Sequence, residues 1–86
     1  MFLASNLKFL RKRRKRTQEE VAFALQIKRS TLNGYEQGVG QPNLERLVAL
    51  ARYYRFCLDD LVCRDLSRLP ESQLQALMQS SLSVSS

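Results

Sequence analysis

The chain has 86 residues, enough for one small domain with a modest hydrophobic core. Its net charge of +6 lies in residues 1–40, because residues 41–86 carry equal numbers of basic and acidic side chains, and this asymmetry is typical of a face that binds a polyanion. No stretch reaches the ~18 apolar residues of a membrane span, so an integral membrane protein is not predicted.

The chain begins with a helical pattern that leads into a run of six basic residues. Leu3, Leu7 and Leu10 follow one another at spacings of four and three, which predicts a first helix over about residues 6–15 with one apolar stripe. The basic run 11–16 suits a solvated helix face, a nuclear import signal or contacts with phosphate groups. Because a helix turns 100° per residue, the six side chains cannot all face one partner. The candidates for phosphate contact are Arg13, Lys15 and Arg16.

The next two predicted helices are short and close together. In TQEE, Thr17 and Glu20 form a capping box, which predicts a helix over residues 18–25. After QIK, the stretch RSTLNGYEQ predicts a third helix that buries Leu32 and Tyr35 and ends at Gly38. A basic helix followed by a capped helix, a tight turn and another helix is a helix-turn-helix plan. The second helix would offer its N-terminus to phosphate, and the third would enter the major groove.

The rest of the chain is also helical in pattern. Asn43 caps a helix with an apolar stripe that comprises Leu44, Leu47, Leu50, Ala51 and Tyr54. A short helix follows around Leu58, Leu61 and Val62. We assign residues 1–65 to the helix-turn-helix domain and 66–86 to an extension, with a helix from about Pro70 and a disordered end, SVSS. No segment alternates as a strand does, so the predicted fold is all-α, with five helices and a sixth in the extension.

The sixth helix carries an apolar stripe that requires a partner surface. Its members are Leu74, Leu77, Met78 and Leu82. They could pack on their own domain, on a second copy, or on another protein such as a toxin. The interpretation favoured here is a dimer contact, because two DNA half-sites call for two protomers.

Three stretches in this order, LKFLRKRRKRTQEEVA, STLNGYEQG and PNLERLVALARYYRFCLDDLV, resemble the Xre/Cro-type family, to which the lambdoid phage repressors belong. The resemblance covers residues 7–62. It implies an all-α, five-helix DNA-binding domain, commonly a homodimer, that regulates transcription from palindromic operators. A bacterial or phage protein in the cytoplasm is therefore expected.

The resemblance also implies roles for individual residues. Gln18 matches a glutamine that holds phosphate and buttresses the recognition helix. Arg11 and Glu36 match a charged pair that ties the first helix to the third. The implied base contacts are Lys28, Arg29, Ser30 and Asn33. Further implied phosphate contacts are Thr31, Gln37 and Asn43, the last at the end of the loop from residue 39.

The sequence departs from the family pattern at several positions. Gln26 stands where the turn usually has glycine, so it is expected to be left-handed. Arg55 replaces a second usual glycine, and Lys28 replaces a Ser or Thr cap. Gly34 lies within the recognition helix, where relatives often carry a long side chain, and therefore weakens the case for a base contact there.

The sequence predicts binding without catalysis. There is no histidine, no pair of carboxylates in an obvious cleft and no glycine-rich phosphate loop, so neither an enzyme, a metal site nor a cofactor is expected. Cys57 and Cys63 are expected to be reduced thiols, with Cys63 buried. The favoured function is a sequence-specific transcriptional repressor. The alternatives are an antitoxin or adaptor with autoregulatory DNA binding, and an RNA-binding protein, which the lack of exposed stacking aromatics disfavours.

Overall fold

The computed structural model describes the backbone of residues 1–84 and the side chains of residues 1–80, and this part of the chain is all helical. In chain order the helices are α1 (Leu3–Arg13), α2 (Gln18–Leu25), α3 (Arg29–Gln37), α4 (Leu44–Tyr54), α5 (Leu58–Cys63) and α6 (Glu71–Val84), and a single 3₁₀ turn, Leu66–Arg68, lies between α5 and α6. The all-α prediction is confirmed. The 3₁₀ turn was not predicted.

Most helix boundaries follow local signals in the sequence. Helix α2 begins directly after the capping box at Thr17, and α4 begins after Asn43, whose Oδ1 accepts a hydrogen bond from the N–H of Arg46 at 2.8 Å. Helix α1 begins earlier than predicted, at Leu3, and ends at Arg13, because Lys15 adopts φ 57° and turns the chain toward α2. The predicted left-handed backbone at Gln26 is present, with φ 57°, and Arg55 has φ 65°.

The core gathers around α1, which packs against α3, α5 and the 3₁₀ turn. Its most deeply buried apolar side chains are Leu7, Leu10, Val21, Leu32, Leu50, Tyr54, Phe56, Leu61, Leu66 and Leu74. The recognition helix α3 is held by Leu32 and Tyr35 on its inner side, which leaves its N-terminal residues outside the core. Burial raises the pKa of the Tyr54 hydroxyl, and the negative charge of Glu36 adds to this effect.

A buried asparagine joins the two ends of the helix-turn-helix domain. Asn6 is completely buried on α1, and its Nδ2 donates to the carbonyl oxygens of Leu61 at 2.7 Å and Arg64 at 2.6 Å. Its Oδ1 accepts from the N–H of Leu66 at 3.1 Å. The amide therefore satisfies backbone groups where α5 ends and the 3₁₀ turn begins. No local sequence pattern marks this residue, because its partners lie 55–60 positions away.

The C-terminal extension packs on its own domain, which corrects the dimer-contact prediction for Leu74. Leu74 is only 1 % exposed and belongs to the core, and Leu77 and Met78 are half-buried against that core. A salt bridge from Arg13 to Glu71 links α6 to α1. Leu82 lies in α6, but its side chain is outside the described residues. Helix α6 continues through Val84, two residues into the segment expected to be disordered, and the remaining residues of that segment, 85–86, lie outside the described part.

Two other residues differ from the sequence-based expectation. Leu44 belongs to the predicted apolar stripe of α4, but it is 71 % exposed, because the first turn of this helix extends beyond the core. Cys63 was expected to be buried, but both cysteines are exposed.

Gly34 faces the backbone of Gly40, since a Cβ at this position would lie 3.8 Å from the Gly40 nitrogen. The loop after α3 therefore packs against Gly34, and a long side chain at this position would meet that loop.

Candidate nucleic-acid interface

The capping box at the N-terminus of α2 leaves two backbone N–H groups without an acceptor among the described residues. The hydroxyl of Thr17 accepts from the N–H of Glu20 at 3.1 Å, and a Glu20 carboxylate oxygen accepts from the N–H of Thr17 at 2.9 Å. These hydrogen bonds lower the pKa of Glu20, with a smaller contribution from Arg16. The first N–H groups of a helix have no acceptor within the helix, so those of Gln18 and Glu19 point outward at its positive end. This arrangement suits an anion.

A shallow basic depression lies at the same place. It is lined by Arg11, Lys15, Arg16, Thr17, Gln18, Glu19 and Arg29. Lys15, Arg16 and Arg29 are exposed, whereas Arg11 is turned inward. Lys15 and Arg16 reach this position because the left-handed residue at Lys15 carries the chain from α1 across to α2. One surface therefore brings together two predicted phosphate contacts, Lys15 and Arg16, with the backbone donors of α2 and with Arg29, the first residue of α3.

A buried ion pair fixes α1 to α3 beneath this surface. The Nε and Nη2 atoms of Arg11 donate to the two carboxylate oxygens of Glu36 at 2.8 and 3.1 Å, and the Glu36 side chain is completely buried. The Nη1 atom of Arg11 donates to the carbonyl oxygen of Arg16 at 3.0 Å, which anchors the loop that leads to α2. The hydrogen bonds to Glu36 raise the pKa of Arg11. The structure therefore contains the charged pair that the family resemblance implied.

Gln18 extends this network to the recognition helix. Its Nε2 donates to Glu36 at 3.2 Å and to the Oδ1 of Asn33 at 3.0 Å. Both N–H bonds of the Gln18 amide are used, so its side chain has no donor left for a phosphate. This corrects part of the predicted role: Gln18 buttresses α3 with its side chain, and only its backbone N–H is available to an anion.

The network also fixes which way the Asn33 amide points. A carboxylate can only accept hydrogen bonds, so Glu36 must face the NH₂ group of Gln18. The same NH₂ group then faces the oxygen of Asn33, which leaves the NH₂ group of Asn33 directed outward on α3. This contact could not be predicted from the sequence, because Gln18 and Asn33 lie on different helices and no local pattern relates them.

The remaining predicted base contacts lie together at the start of α3. Lys28, Arg29 and Ser30 are exposed, as is Asn33 one turn later, and Thr31 is half-buried. Lys28 is the N-cap residue of α3 and makes no capping hydrogen bond through its side chain to any described residue. Gln37 and Asn43 are exposed at the two ends of the loop between α3 and α4, outside the basic depression.

Arg13 lies elsewhere, which corrects its prediction as a phosphate contact. It follows Arg11 by two residues and therefore points about 200° away around α1. Its guanidinium pairs with Glu71 of α6, through Nε to Oε2 at 3.2 Å, and Nη1 lies 3.9 Å from the sulfur of Met78. The pair lowers the pKa of Glu71. With 16 % of its side chain exposed, Arg13 serves to hold α6 in place.

The described residues contain no group of three or more side chains placed to ligate a metal ion. Within the same residues, no helix is both long and apolar enough to cross a lipid bilayer.

Comparison with known proteins identifies the helical plan. A helix-turn-helix family model matches residues 7–61. The HTH-type transcriptional activator BcrR of Enterococcus faecalis is 32 % identical over 56 residues, which are 65 % of this chain and 28 % of that protein. The chain therefore spans less than a third of the length of this relative. No solved structure matches the chain significantly.

Proposed function

We propose, because the chain belongs to the Xre-type helix-turn-helix family, that it regulates transcription by binding double-stranded DNA as a homodimer, without catalysis. The observation that carries this proposal is the joint surface formed by the N-termini of α2 and α3. Free backbone donors and the exposed cations Lys15, Arg16 and Arg29 converge there. Such a surface neutralises phosphates and simultaneously offers side chains to base edges.

Phosphate binding would supply most of the affinity. A phosphate in the depression would accept from the backbone N–H groups of Gln18 and Glu19 and be neutralised by Lys15 and Arg16. Further contacts with the phosphate backbone of the duplex are proposed for Thr31, Gln37 and Asn43. Because each neutralised phosphate releases counterions, affinity would fall steeply with salt concentration.

Sequence choice would come from α3, through Lys28, Arg29, Ser30 and Asn33. Arg29 is exposed at the first position of α3 and can donate two hydrogen bonds to guanine O6 and N7. Asn33 presents its NH₂ group, so it would prefer a base that offers an acceptor in the major groove, such as guanine or thymine.

Two variants compare a cation inside the depression with one outside it. Lys15→Ala is expected to weaken binding to all duplexes alike and to lower the slope of log K against log salt by about one. Arg13→Ala should leave that slope unchanged, because Arg13 is paired with Glu71. Titration of labelled duplexes across a salt series measures both slopes. An equal decrease in the salt slope for Arg13→Ala would mean that phosphate groups contact the Arg13 side of α1. That result would contradict the assignment of phosphate binding to the basic depression.

The orientation of Asn33 gives a separate prediction. In Asn33→Asp, one carboxylate oxygen can still accept from Gln18, and the outward group becomes an acceptor. The preferred base at one position of each half-site is therefore expected to change to one with an exposed amino group, cytosine or adenine. Gln73→Glu is the control, since it adds the same charge at an exposed residue of α6, outside the proposed DNA contacts. Selected sites that are identical for wild type and Asn33→Asp would exclude a base contact by this residue.

The proposed regulatory outcome is repression by operator occupancy, in the cytoplasm of a bacterium or a phage-infected cell. BcrR is named an activator, but the chain matches only a minor part of that protein. The alternative role is an antitoxin or adaptor that binds a protein partner. Leu74 lies in the core of its own domain, so this residue of the C-terminal stripe does not support that alternative.

Selection of binding sites from a random duplex library, at two salt concentrations, tests the proposal. The expected result is a two-fold symmetric motif with half-sites about one helical turn apart. Binding without any recovered motif that disappears at the higher salt concentration would contradict sequence-specific regulation. Equal binding to RNA duplexes or single strands would favour the RNA-binding alternative.

A further inference from the structure

The outer face of α4 is apolar at its centre and covered by none of the described elements. Leu44 is 71 % exposed, Ala49 is exposed and Val48 is half-buried. Together with Glu45 and Arg52, these three residues line a shallow surface depression. The opposite face of the helix packs into the core through Leu50, Ala51 and Tyr54, so burial in this domain does not explain the apolar outer residues.

Two opposite charges flank the apolar centre. Glu45 and Arg52 are seven residues apart, which places them about 10 Å apart along the axis and on nearly the same side of the helix. Neither forms an ion pair with any of the described residues, so both charges are available to a partner. Each also lies at the helix end where its charge favours the helix dipole.

We infer that this face binds the same face of a second copy, with the two α4 helices antiparallel. A two-fold axis beside Val48 and Ala49 would bring Glu45 of one protomer next to the partner's Arg52, and the reverse pair would form by symmetry. Val48 and Ala49 would meet their counterparts between the two ion pairs, and Leu44 would lie just outside them at each end of the contact. A parallel arrangement would instead place like charges together, which is unfavourable.

The charge distribution of the chain agrees with this location. The net charge of +6 comes from residues 1–40, while residues 41–86 are neutral in sum. Two copies that approach through α4 therefore meet at a neutral, charge-paired face and keep their basic surfaces free. The C-terminal stripe is less suited to a dimer contact than the α4 face, because its Leu74 is buried.

The expected dimer is weak in the absence of DNA. Helix α4 has 11 residues and is therefore about 16 Å long, which is too short to bury the ~800 Å² per partner of a standard stable interface. Two protomers on adjacent half-sites would have a high effective concentration, and the same contact would then give cooperative binding. Only this expectation of cooperative DNA binding rests on the proposed function.

Charge reversal tests the contact without DNA. Sedimentation equilibrium of the full chain, over a wide concentration range, is expected to show self-association to a dimer. Glu45→Arg and Arg52→Glu should each weaken dimerisation about tenfold or more, since each variant replaces two ion pairs by two repulsive pairs. The double variant should restore association, because the pairs re-form with reversed sign.

Matched controls separate this effect from net charge. Asp59→Arg and Lys12→Glu make the same changes in charge at exposed residues outside the α4 face, and neither should alter association. Circular dichroism establishes that each variant is folded. A monomer at all concentrations, or a double variant that associates no better than the single variants, would overturn the inference.

Binding to a duplex with one half-site keeps the two proposals distinguishable. The charge-reversed variants are expected to bind a single half-site as the wild type does, and to lose cooperativity on a complete operator. Dimerisation that behaves as expected, in a protein without DNA affinity, would leave the α4 contact standing and remove only the proposed function.

Discussion

Replacement of Arg11 by alanine is expected to lower the free energy of unfolding by about 3–5 kcal/mol, the usual effect of removing one partner of a buried ion pair. The reason is that the Glu36 side chain is completely buried and would lose both hydrogen bonds from the guanidinium. Only Gln18 would remain as a donor to that carboxylate. In a domain of this size, such a loss is a large fraction of the total stability.

Urea unfolding followed by circular dichroism measures this effect. Lys12→Ala is the control, because Lys12 neighbours Arg11 in the same basic run, is exposed, and forms no ion pair with the described residues. Its effect should stay within about 0.5 kcal/mol. A loss below 1 kcal/mol for Arg11→Ala would mean that the ion pair contributes little to the folded state.

Arg29→Ala is expected to cost about 1–3 kcal/mol of discrimination at one base pair in each half-site. Arg29 is exposed at the beginning of α3 and borders the phosphate depression, so its side chain can reach a base edge once the duplex backbone is bound. Loss of a base contact relaxes preference at one position and leaves the others intact.

Site selection with Arg29→Ala, compared with the wild type, measures that preference. Arg68→Ala removes the same charge at the 3₁₀ turn, where Arg68 pairs with Asp65, and should leave the selected motif unchanged. If Arg29→Ala weakens binding to every sequence alike, Arg29 is a phosphate contact and another residue of α3 reads that base.

Features encoded by neighbouring residues could be predicted from the sequence. The capping box at Thr17 and Glu20, the Asn43 cap and the left-handed turn at Gln26 depend on local backbone geometry, so a few adjacent residues are sufficient to identify them. The same local signals predicted that α3 follows α2 in the chain after a tight turn. The Arg11–Glu36 pair could be expected only from the family resemblance, because its partners are 25 residues apart.

Features that depend on tertiary packing were missed or wrong. Arg13 belongs to the same basic run as Lys15, and only the packing of α6 against α1 distinguishes their roles. Leu44 and Leu74 both fit the apolar period of their helices, yet the first turn of α4 extends beyond the core and α6 folds back onto it. The Gln18–Asn33 contact required the relative placement of two helices, which no periodicity provides.

The hydrogen bonds of Asn6 have a consequence for the order in which the chain can acquire its structure during synthesis. Helix α1 leaves the ribosome first, but its buried amide finds its acceptors and donor only when residues 61–66 have emerged. Until then a polar group occupies a place in the core without partners, which opposes early docking of α1. The buried core therefore extends beyond the segment 7–61 that relates the chain to its family, since Leu66 and the α6 residue Leu74 belong to it.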